Sequence, residues 1–509
     1  MKKILIANRG EIAVRIIRTC RDMGLATVAV YSECDRNALH VRLADQAHAI
    51  GPDKASESYL RIDKLIDVAR SSGADAVHPG YGFLAENPEF AEACAKAGVV
   101  FIGPDARAMR TMGSKTSARD VAVAVGVPVV PGGDAPDGIG YPLLVKAVAG
   151  GGGKGMRVVR AADELENAVR LARSEALSSF GDERVYFERL LERPRHIEVQ
   201  LLGDTHGEII PFVERECSIQ RRHQKLIEET PSPVVTQALR ERLMAAAATI
   251  GRATSYTSAG TIEFLVDANE GFYFLEMNTR LQVEHPITEA VTGVDFVRAQ
   301  IEIAGGARLA DMADLRVSTR DAPPNEVPTF RSGNTANGHA IEVRVYAENP
   351  DEGFMPSPGR ITHLRTPSGP GIRDDSSAYE GWTVPNAYDS LISKVVAWAP
   401  DRPRAIARMV RALTEYDVRG ISTTVRFCRN LVASPEFAAA DFDTTYVDRL
   451  LENGSKTTGG DDLEIAAIAA AMWGIKNARL RQEPPKDPGV RRDSRDSLWA
   501  QRARLESLR

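Results

Sequence analysis

Residues 276–289 read EMNTRLQVEHPITE. The alternate positions Glu276, Asn278, Arg280, Gln282 and Glu284 set two carboxylates, two amides and a guanidinium in a row. Met277, Thr279, Leu281 and Val283 stand between them, and this period of two predicts an extended segment with one polar and one mostly apolar face. Buried charge is expensive unless paired, so a strand that carries such a row inward does so for chemistry. Just upstream, 261–266 (TIEFLV) and 272–277 (FYFLEM) are β-rich runs joined by the turn-like 267–271. A hairpin there sets Glu263 opposite Glu276, with Cβ atoms about 5 Å apart. Two bare carboxylates at that distance repel each other. A hard dication such as Mg²⁺ between them removes the repulsion, and Asn278, two residues on, offers a third oxygen.

Mg²⁺ favours a few carboxylates together with phosphate oxygens, so a phosphate-bearing substrate is expected nearby. Residues 150–155 read GGGGKG between two strand-like runs, LLVKA at 143–147 and MRVV at 156–159. Glycine lets backbone N–H groups approach phosphate. The run is not a Walker A loop, because Gly155 stands where Ser or Thr would follow the lysine and a strand follows where a helix is required. A mobile lid over phosphates and a plain surface turn both fit it. Lys146 lies in an apolar strand, where a cation needs a partner, and a nucleotide phosphate would serve. The run 186–191 (YFERLL) reads as a strand entering a linker, a place where backbone groups can read an adenine edge. The cation-rich 214–225 (ERECSIQRRHQK) competes with a simple solvated charge run, but it precedes the carboxylate hairpin and supplies cations that an anionic site needs. Glu342 and Arg344 are two apart in a β-rich run and share a face.

The elements that must position these residues follow from composition and pattern. At 509 residues the chain is long enough for two to four domains with a large core. A net charge of −5 gives no reason to expect nucleic acid or an anionic membrane as partner. The five cysteines are scattered, with no CxxC pair, so neither a zinc site nor a disulfide framework is expected. No signal peptide and no apolar run of about 20 residues is evident, so a cytoplasmic protein is expected. A strand at 4–7, a helix over 10–22, a strand at 27–31, a strand at 76–78, a helix near 88–97 and a strand at 99–102 predict an open parallel sheet. The first turn lacks G-x-G-x-x-G, so a dinucleotide fold is not supported. Residues 307–337 read as a boundary loop, 402–413 as a helix, 454–460 as a linker and 463–478 as an Ala-rich helix, with a Pro/Arg-rich stretch and a short amphipathic helix beyond.

Several motifs in one order then resemble biotin carboxylase of the ATP-grasp superfamily, over about nine-tenths of the chain: IANRGEIA at 6–13, HPGYGFLAEN at 78–87, FIGP at 101–104, MGSK at 112–115, the glycine loop, ERLLERPRHIEVQ at 188–200, ERECSIQRRHQK and EMNTRLQVEHPITE. The resemblance implies an α/β fold with an N-terminal open parallel-sheet domain (1–113), an ATP-grasp domain (114–320) with a glycine-rich lid at about 130–190, a C-terminal mixed α+β domain (338–446), and a linker and helical tail (447–509). It implies that Lys115, Lys146, Gly152, Gly153, Glu188, Arg189, Leu190, Leu191, His196, Gln220 and His223 contact ATP. Glu263, Glu276 and Asn278 resemble ligands of Mg²⁺ (or Mn²⁺), two ions in all. Lys225, Arg280, Gln282 and Val283 resemble the bicarbonate pocket, Glu284 the general base, and Arg344 the residue that holds carboxyphosphate and biotin. Arg15, Arg18 and Asp22 lie on the helix that such proteins use for homodimer contacts. Position 189 is Arg where lysine is frequent, and its backbone can still meet adenine.

The implied reaction is ATP-dependent carboxylation of biotin through carboxyphosphate. Another ATP-grasp ligase, or a non-catalytic subunit that kept the fold, are the alternatives; the second would be expected to lose some of Lys225, Arg280 and Glu284, and all are present. No biotinyl-lysine motif is found, so biotin is expected on a separate biotin carboxyl carrier protein, with a separate carboxyltransferase. Acetyl-CoA is the leading expectation for the final acceptor, with propionyl-CoA and pyruvate as alternatives.

Overall fold

The first helix shows why the N-terminal segment folds as it does. In Gly10–Asp22, Ile12, Ala13, Ile16, Ile17 and Cys20 recur at helical spacing and are all buried, while Arg18, Arg21 and Asp22 face outward. It crosses between Lys3–Ile6 and Ala26–Ser32, two strands paired in parallel. The structure is a computed structural model that describes residues 1–148, 155–312, 315 and 336–452. Five parallel strands lie in the order Gln46–Gly51, Ala26–Ser32, Lys3–Ile6, Ala76–His78, Val100–Phe101. The chain thus departs from the central strand in both directions, which leaves a crevice at the strands' carboxyl ends. There Asn8 Nδ2 donates to the carbonyls of Pro79 and Tyr81, both at 2.7 Å. Gly80 sits in the left-handed region (φ +64°), and a Cβ there would lie 3.0 Å from Asn8 Nδ2, so the 78–87 loop can close on the sheet only with glycine. That loop carries Glu86 toward the site.

An antiparallel sheet of four strands, Gly132–Gly133, Val185–Arg189, Leu143–Ala147 and Met156–Val159 in that order, packs against the helix Leu165–Phe180. Residues 149–154, which hold all of the glycine run but Gly155, lie outside the described residues. So do the linker and helices expected beyond residue 452, and most of the loop expected at 307–337.

One antiparallel sheet of nine strands joins the two remaining regions that the sequence reads as separate. Its path runs Phe272–Asn278, Ser258–Val266, Arg195–Gly203, Arg215–Arg221, Gln224–Thr230, His339–Tyr346, Leu391–Ala399, Ile372–Ser376, with Ile209–Pro211 beside Arg195–Gly203. The strand Arg195–Gly203 shows what each face does. Ile197, Val199 and Leu201 join the apolar cluster under the helix Gln237–Ala253, which Thr236 caps by accepting from Leu239 N at 3.2 Å. His196, Glu198 and Gln200 point the other way and are also buried, so the second face is polar by construction. No helix among the described residues is long and apolar enough to cross a membrane.

Candidate active site

The expected hairpin forms, with Ser258–Val266 paired to Phe272–Asn278. Glu263 stands directly opposite Glu276, and a bulge follows at Glu263/Phe264. The extended reading of 276–289 holds only to Asn278. Residues 279–284 form a loop, and His285–Thr292 is a helix with Pro286 in its first turn. Proline has no N–H to lose there and its φ suits a helix start, so it ends the strand-like alternation. Arg280, Gln282 and Glu284 therefore leave a loop and do not share one strand face. Gln282 and Glu284 still converge on the hairpin.

They converge because of Lys225. Its ammonium donates to Glu198 Oε2 at 2.6 Å, Glu263 Oε1 at 2.9 Å and Glu284 Oε1 at 2.6 Å. The side chain is 12% exposed and the three carboxylates 0–5%. Burial alone would raise these acids, yet Lys225 holds Glu263 well below the usual carboxylate range, with His196 adding to it. Burial likewise opposes, and Lys225 and Arg344 overcome, the ionisation of Glu284, which also lies well below that range. Arg344 donates from Nε to Glu228 Oε1 at 2.6 Å and from a terminal nitrogen to Glu284 Oε2 at 2.9 Å. Both oxygens of Glu284 are thus held by cations.

Arg215 completes this arrangement and is fully buried. It donates to Glu198 Oε1 at 2.5 Å, Gln200 Oε1 at 2.9 Å, Thr288 Oγ1 at 3.0 Å and Gln282 Oε1 at 2.8 Å. Gln282 in turn donates to Glu263 Oε1 at 2.9 Å. Arg280 donates from Nε to Glu86 Oε2 at 2.8 Å and from a terminal nitrogen to Asn278 Oδ1 at 3.1 Å. Glu86 Oε1 accepts from Thr279 N at 2.9 Å, so one acid from the N-terminal sheet region fixes both the side chain of Arg280 and the backbone before it. The carbonyl of Val283 accepts from Lys394.

Of the residues that resemble ATP contacts, Lys146 and Glu188 lie on adjacent lid strands and pair directly. The cation in the apolar strand thus has Glu188 as a partner. Arg189 N donates to Pro131 O at 2.8 Å and Leu190 N to Pro142 O at 3.0 Å; Arg189 is exposed and Leu191 half-buried. His196 Nε2 lies 3.0 Å from Glu263 Oε2. Gln220 is opposite Lys225 in the register of Arg215–Arg221 and Gln224–Thr230, and His223 occupies the turn between them at φ +66°. Lys115 starts the helix Lys115–Ala124, close enough for its charge to favour ionised Glu276. Gly152 and Gly153 lie outside the described residues. On the helix Gly10–Asp22, Arg15 turns inward to Glu289 at 2.9 Å and Asp295 at 2.8 Å, leaving Arg18 and Asp22 outward.

The hairpin fits a divalent cation. Burial, and then the charge of Glu263, push the Glu276 carboxyl up, the repulsion that a dication between them would relieve. Asn278 here turns Nδ2 to Glu263 at 2.9 Å, so its oxygen would join a metal only after the amide rotates.

Opposed carboxylates on a hairpin and a cluster of buried cations beside them are a site of the kind an ATP-grasp ligase needs. Comparison with known proteins agrees. Residues 114–312 match the carbamoyl-phosphate synthase L chain, ATP binding domain; residues 1–109 match the biotin carboxylase N-terminal domain and 342–449 the biotin carboxylase C-terminal domain. The chain is 47% identical to biotin carboxylase 1 of Bacillus subtilis, over 88% of this chain and 98% of that protein. It is 49% identical to the biotin carboxylase of a Nostoc species, over 88% and 99%. Among solved structures, the biotin carboxylase domain dimer of Hydrogenobacter thermophilus 2-oxoglutarate carboxylase, in complex with MgADP, ADP and bicarbonate, superposes with a TM-score of 0.80 at 42% identity, covering 88% of this chain and 98% of that one. The chain belongs to the biotin carboxylase family and is an ATP-dependent ligase of that class. One further relative is the propionyl-CoA carboxylase alpha chain of Ruegeria pomeroyi, 43% identical over 94% of this chain and 72% of that protein. The names of these relatives do not single out the acetyl-CoA expected above.

Four side chains at the site went unread in the sequence: Glu86, Glu198, Arg215 and Glu228. Glu86 and Glu198 lie inside motifs already singled out, and alternation along 195–203 would have placed Glu198 on the face of His196. Nothing local marks Glu228 apart from its neighbour Glu229.

Proposed function

We propose that this chain uses MgATP and bicarbonate to carboxylate biotin carried on a separate biotin carboxyl carrier protein. The observation that carries the reading is Lys225 held among Glu198, Glu263 and Glu284, beside a hairpin that opposes Glu263 and Glu276. Such a centre can hold a small anion next to a nucleotide's terminal phosphate. Lys115, Lys146, His196, Gln220, His223 and the 188–191 segment would bind the nucleotide, together with Gly152 and Gly153. Glu263, Glu276 and Asn278 would hold one or two Mg²⁺ ions, which would neutralise charge on the transferring phosphoryl group.

Lys225, Arg280, Gln282 and the backbone of Val283 would hold bicarbonate in line with the γ-phosphate, and positioning supplies most of the rate. Glu284 takes the bicarbonate proton as its oxygen attacks phosphorus, giving carboxyphosphate and ADP. Closure of the lid keeps water from that short-lived product. Carboxyphosphate breaks down to CO₂ and phosphate. Phosphate takes the ureido N–H proton of biotin, Arg280 and Arg344 stabilise the oxyanion that forms, and CO₂ adds to nitrogen.

We further propose the region boundaries given above, a homodimer, a cytoplasmic setting and a separate carboxyltransferase. Acetyl-CoA remains the proposed final acceptor. A purified complex that carboxylates pyruvate, propionyl-CoA or methylcrotonoyl-CoA in its place would correct the acceptor without touching the half-reaction. The test of the half-reaction is ADP release with Mg²⁺ and bicarbonate, with and without free biotin and a biotinylated carrier. Release that depends on bicarbonate and rises with biotin or carrier is expected. Release indifferent to bicarbonate overturns the reading.

A further inference from the structure

Lys394 is the one lysine with a fully buried side chain among the described residues. It lies on Leu391–Ala399, in the C-terminal part of the nine-stranded sheet. Its register partners are Arg344 on one side and Asp375 on the other. Opposite residues in an antiparallel pair share a face, so Lys394 points to the face that carries Arg344. Its ammonium donates to the carbonyl of Val283 at 2.9 Å and lies 3.2 Å from Glu11 Oε2 and 4.0 Å from Asp375 Oδ2. Glu11 belongs to the first helix, Gly10–Asp22. One cation therefore ties the N-terminal helix, the C-terminal sheet and the loop 279–284 together.

The bond to Val283 is the informative one. A buried ammonium surrounded by carboxylates has no electrostatic need of a neutral carbonyl. The loop gains from it, since it fixes the Val283 carbonyl between those of Gln282, which accepts from His285 N at 3.3 Å, and Glu284, which accepts from Ile287 N at 3.3 Å. A trans peptide is planar, so fixing the Val283 oxygen fixes the plane from which the Glu284 backbone departs. Glu284 then reaches Lys225 with one oxygen and Arg344 with the other. A rotation of that plane by a few tens of degrees would move the carboxylate by more than an ångström, a displacement that costs catalysis heavily.

We propose that Lys394 is a positioning residue for the general base, setting Glu284 through the carbonyl of Val283. This rests on the functional reading above, in which Glu284 is the base. Loss of the charge-assisted bond should slow bicarbonate-dependent turnover roughly 10- to 100-fold while leaving nucleotide binding alone.

Lys394→Met alone strands Glu11 in the interior, so the test uses Lys394→Met with Glu11→Gln, and Glu11→Gln alone as reference. Glu11→Gln keeps the lysine–carbonyl bond and is expected to stay within about 3-fold of the parent in kcat. The double variant is expected to lose about 10- to 100-fold in kcat for bicarbonate-dependent ADP release, with the KM for MgATP within about 2-fold. A double variant that turns over like Glu11→Gln overturns the proposal. So does one that loses ATP affinity in parallel with kcat, or fails to fold where Glu11→Gln folds, because the role would then be structural. A parent chain with no bicarbonate-dependent ADP release overturns the functional reading itself, which sets that failure apart from failure of the positioning role.

Discussion

Replacing Lys225 with methionine keeps the aliphatic stem and deletes the charge that three buried carboxylates share. Those contacts are 2.6, 2.9 and 2.6 Å. Removing one partner from a buried ion pair costs about 3–5 kcal/mol, because the charge left behind has neither water nor a counterion. Arg215 still holds Glu198, Arg344 still holds Glu284 and His196 still faces Glu263, so the figure is taken once and not three times. At about 2–4 °C per kcal/mol for a domain of 150–250 residues, the melting temperature near pH 8 should fall by roughly 10 °C. The pH dependence is the sharper part. In the parent, Glu263 and Glu284 are held well below the usual carboxylate range. Their contribution is present above the unfolded pKa, about 4.3, and is lost as pH falls through the folded values. Without Lys225, burial pushes these acids up, so the variant takes up protons on folding and regains stability as pH falls. The gap in melting temperature should be widest near pH 8 and narrow toward pH 5. Thermal unfolding by circular dichroism across that range measures it. An equal gap at both ends, or a gap under about 2 °C at pH 8, refutes the reasoning.

Other perturbations separate the parts of the site. Arg280→Ala should spare ATP binding and slow biotin carboxylation on the order of 10²-fold or more, the scale of one lost oxyanion donor; unchanged turnover removes Arg280 from the mechanism. Glu86→Gln should leave melting unchanged, since the acid is half-exposed, yet lower kcat roughly 3- to 10-fold by freeing Arg280 and Thr279, which steady-state ADP release would show. Glu276→Gln should raise the Mg²⁺ concentration at half-maximal ATP cleavage by about 10-fold or more, and an unmoved midpoint in a Mg²⁺ titration takes Glu276 out of the metal site. Arg215→Met takes one of two cations from Glu198, which keeps Lys225, so the cost should lie at the low end of about 3–5 kcal/mol, read as a drop in denaturation midpoint at unchanged slope.

What the sequence showed and what it hid divide along range. The helix Gly10–Asp22 and the Glu263–Glu276 pairing were legible because periodicity and hairpin register are local. The loop 279–284 was misread for the same reason, since alternation of types does not require strand pairing and Pro286 was the only local sign of a break. Glu228 was invisible as a member of the site because its partner is distant, and Arg215 was read only as one cation in a charged run. Arg344 meets Glu228 across 116 residues of chain, and Arg280 meets Glu86 across 194. The pairing of Lys146 with Glu188, 42 residues on and on the neighbouring strand, was likewise out of reach of local pattern.

The electrostatics of Glu284 put a condition on its proposed role. A general base works best with a pKa near the working pH, and Lys225 and Arg344 hold Glu284 well below the usual carboxylate range. The two cations that depress it, Lys225 and Arg344, are also the ones proposed to hold the reacting anions. Lys225 is a single ammonium shared by three acids, so an anion that draws it away weakens its hold on all of them. Glu284 then regains proton affinity, with burial now acting in the same direction. Binding of bicarbonate beside the nucleotide would in this way switch on the base that consumes it, and without the anion Glu284 stays an inert carboxylate between two cations. On that reading the arrangement would couple proton removal to occupancy and so protect against idle cleavage of ATP.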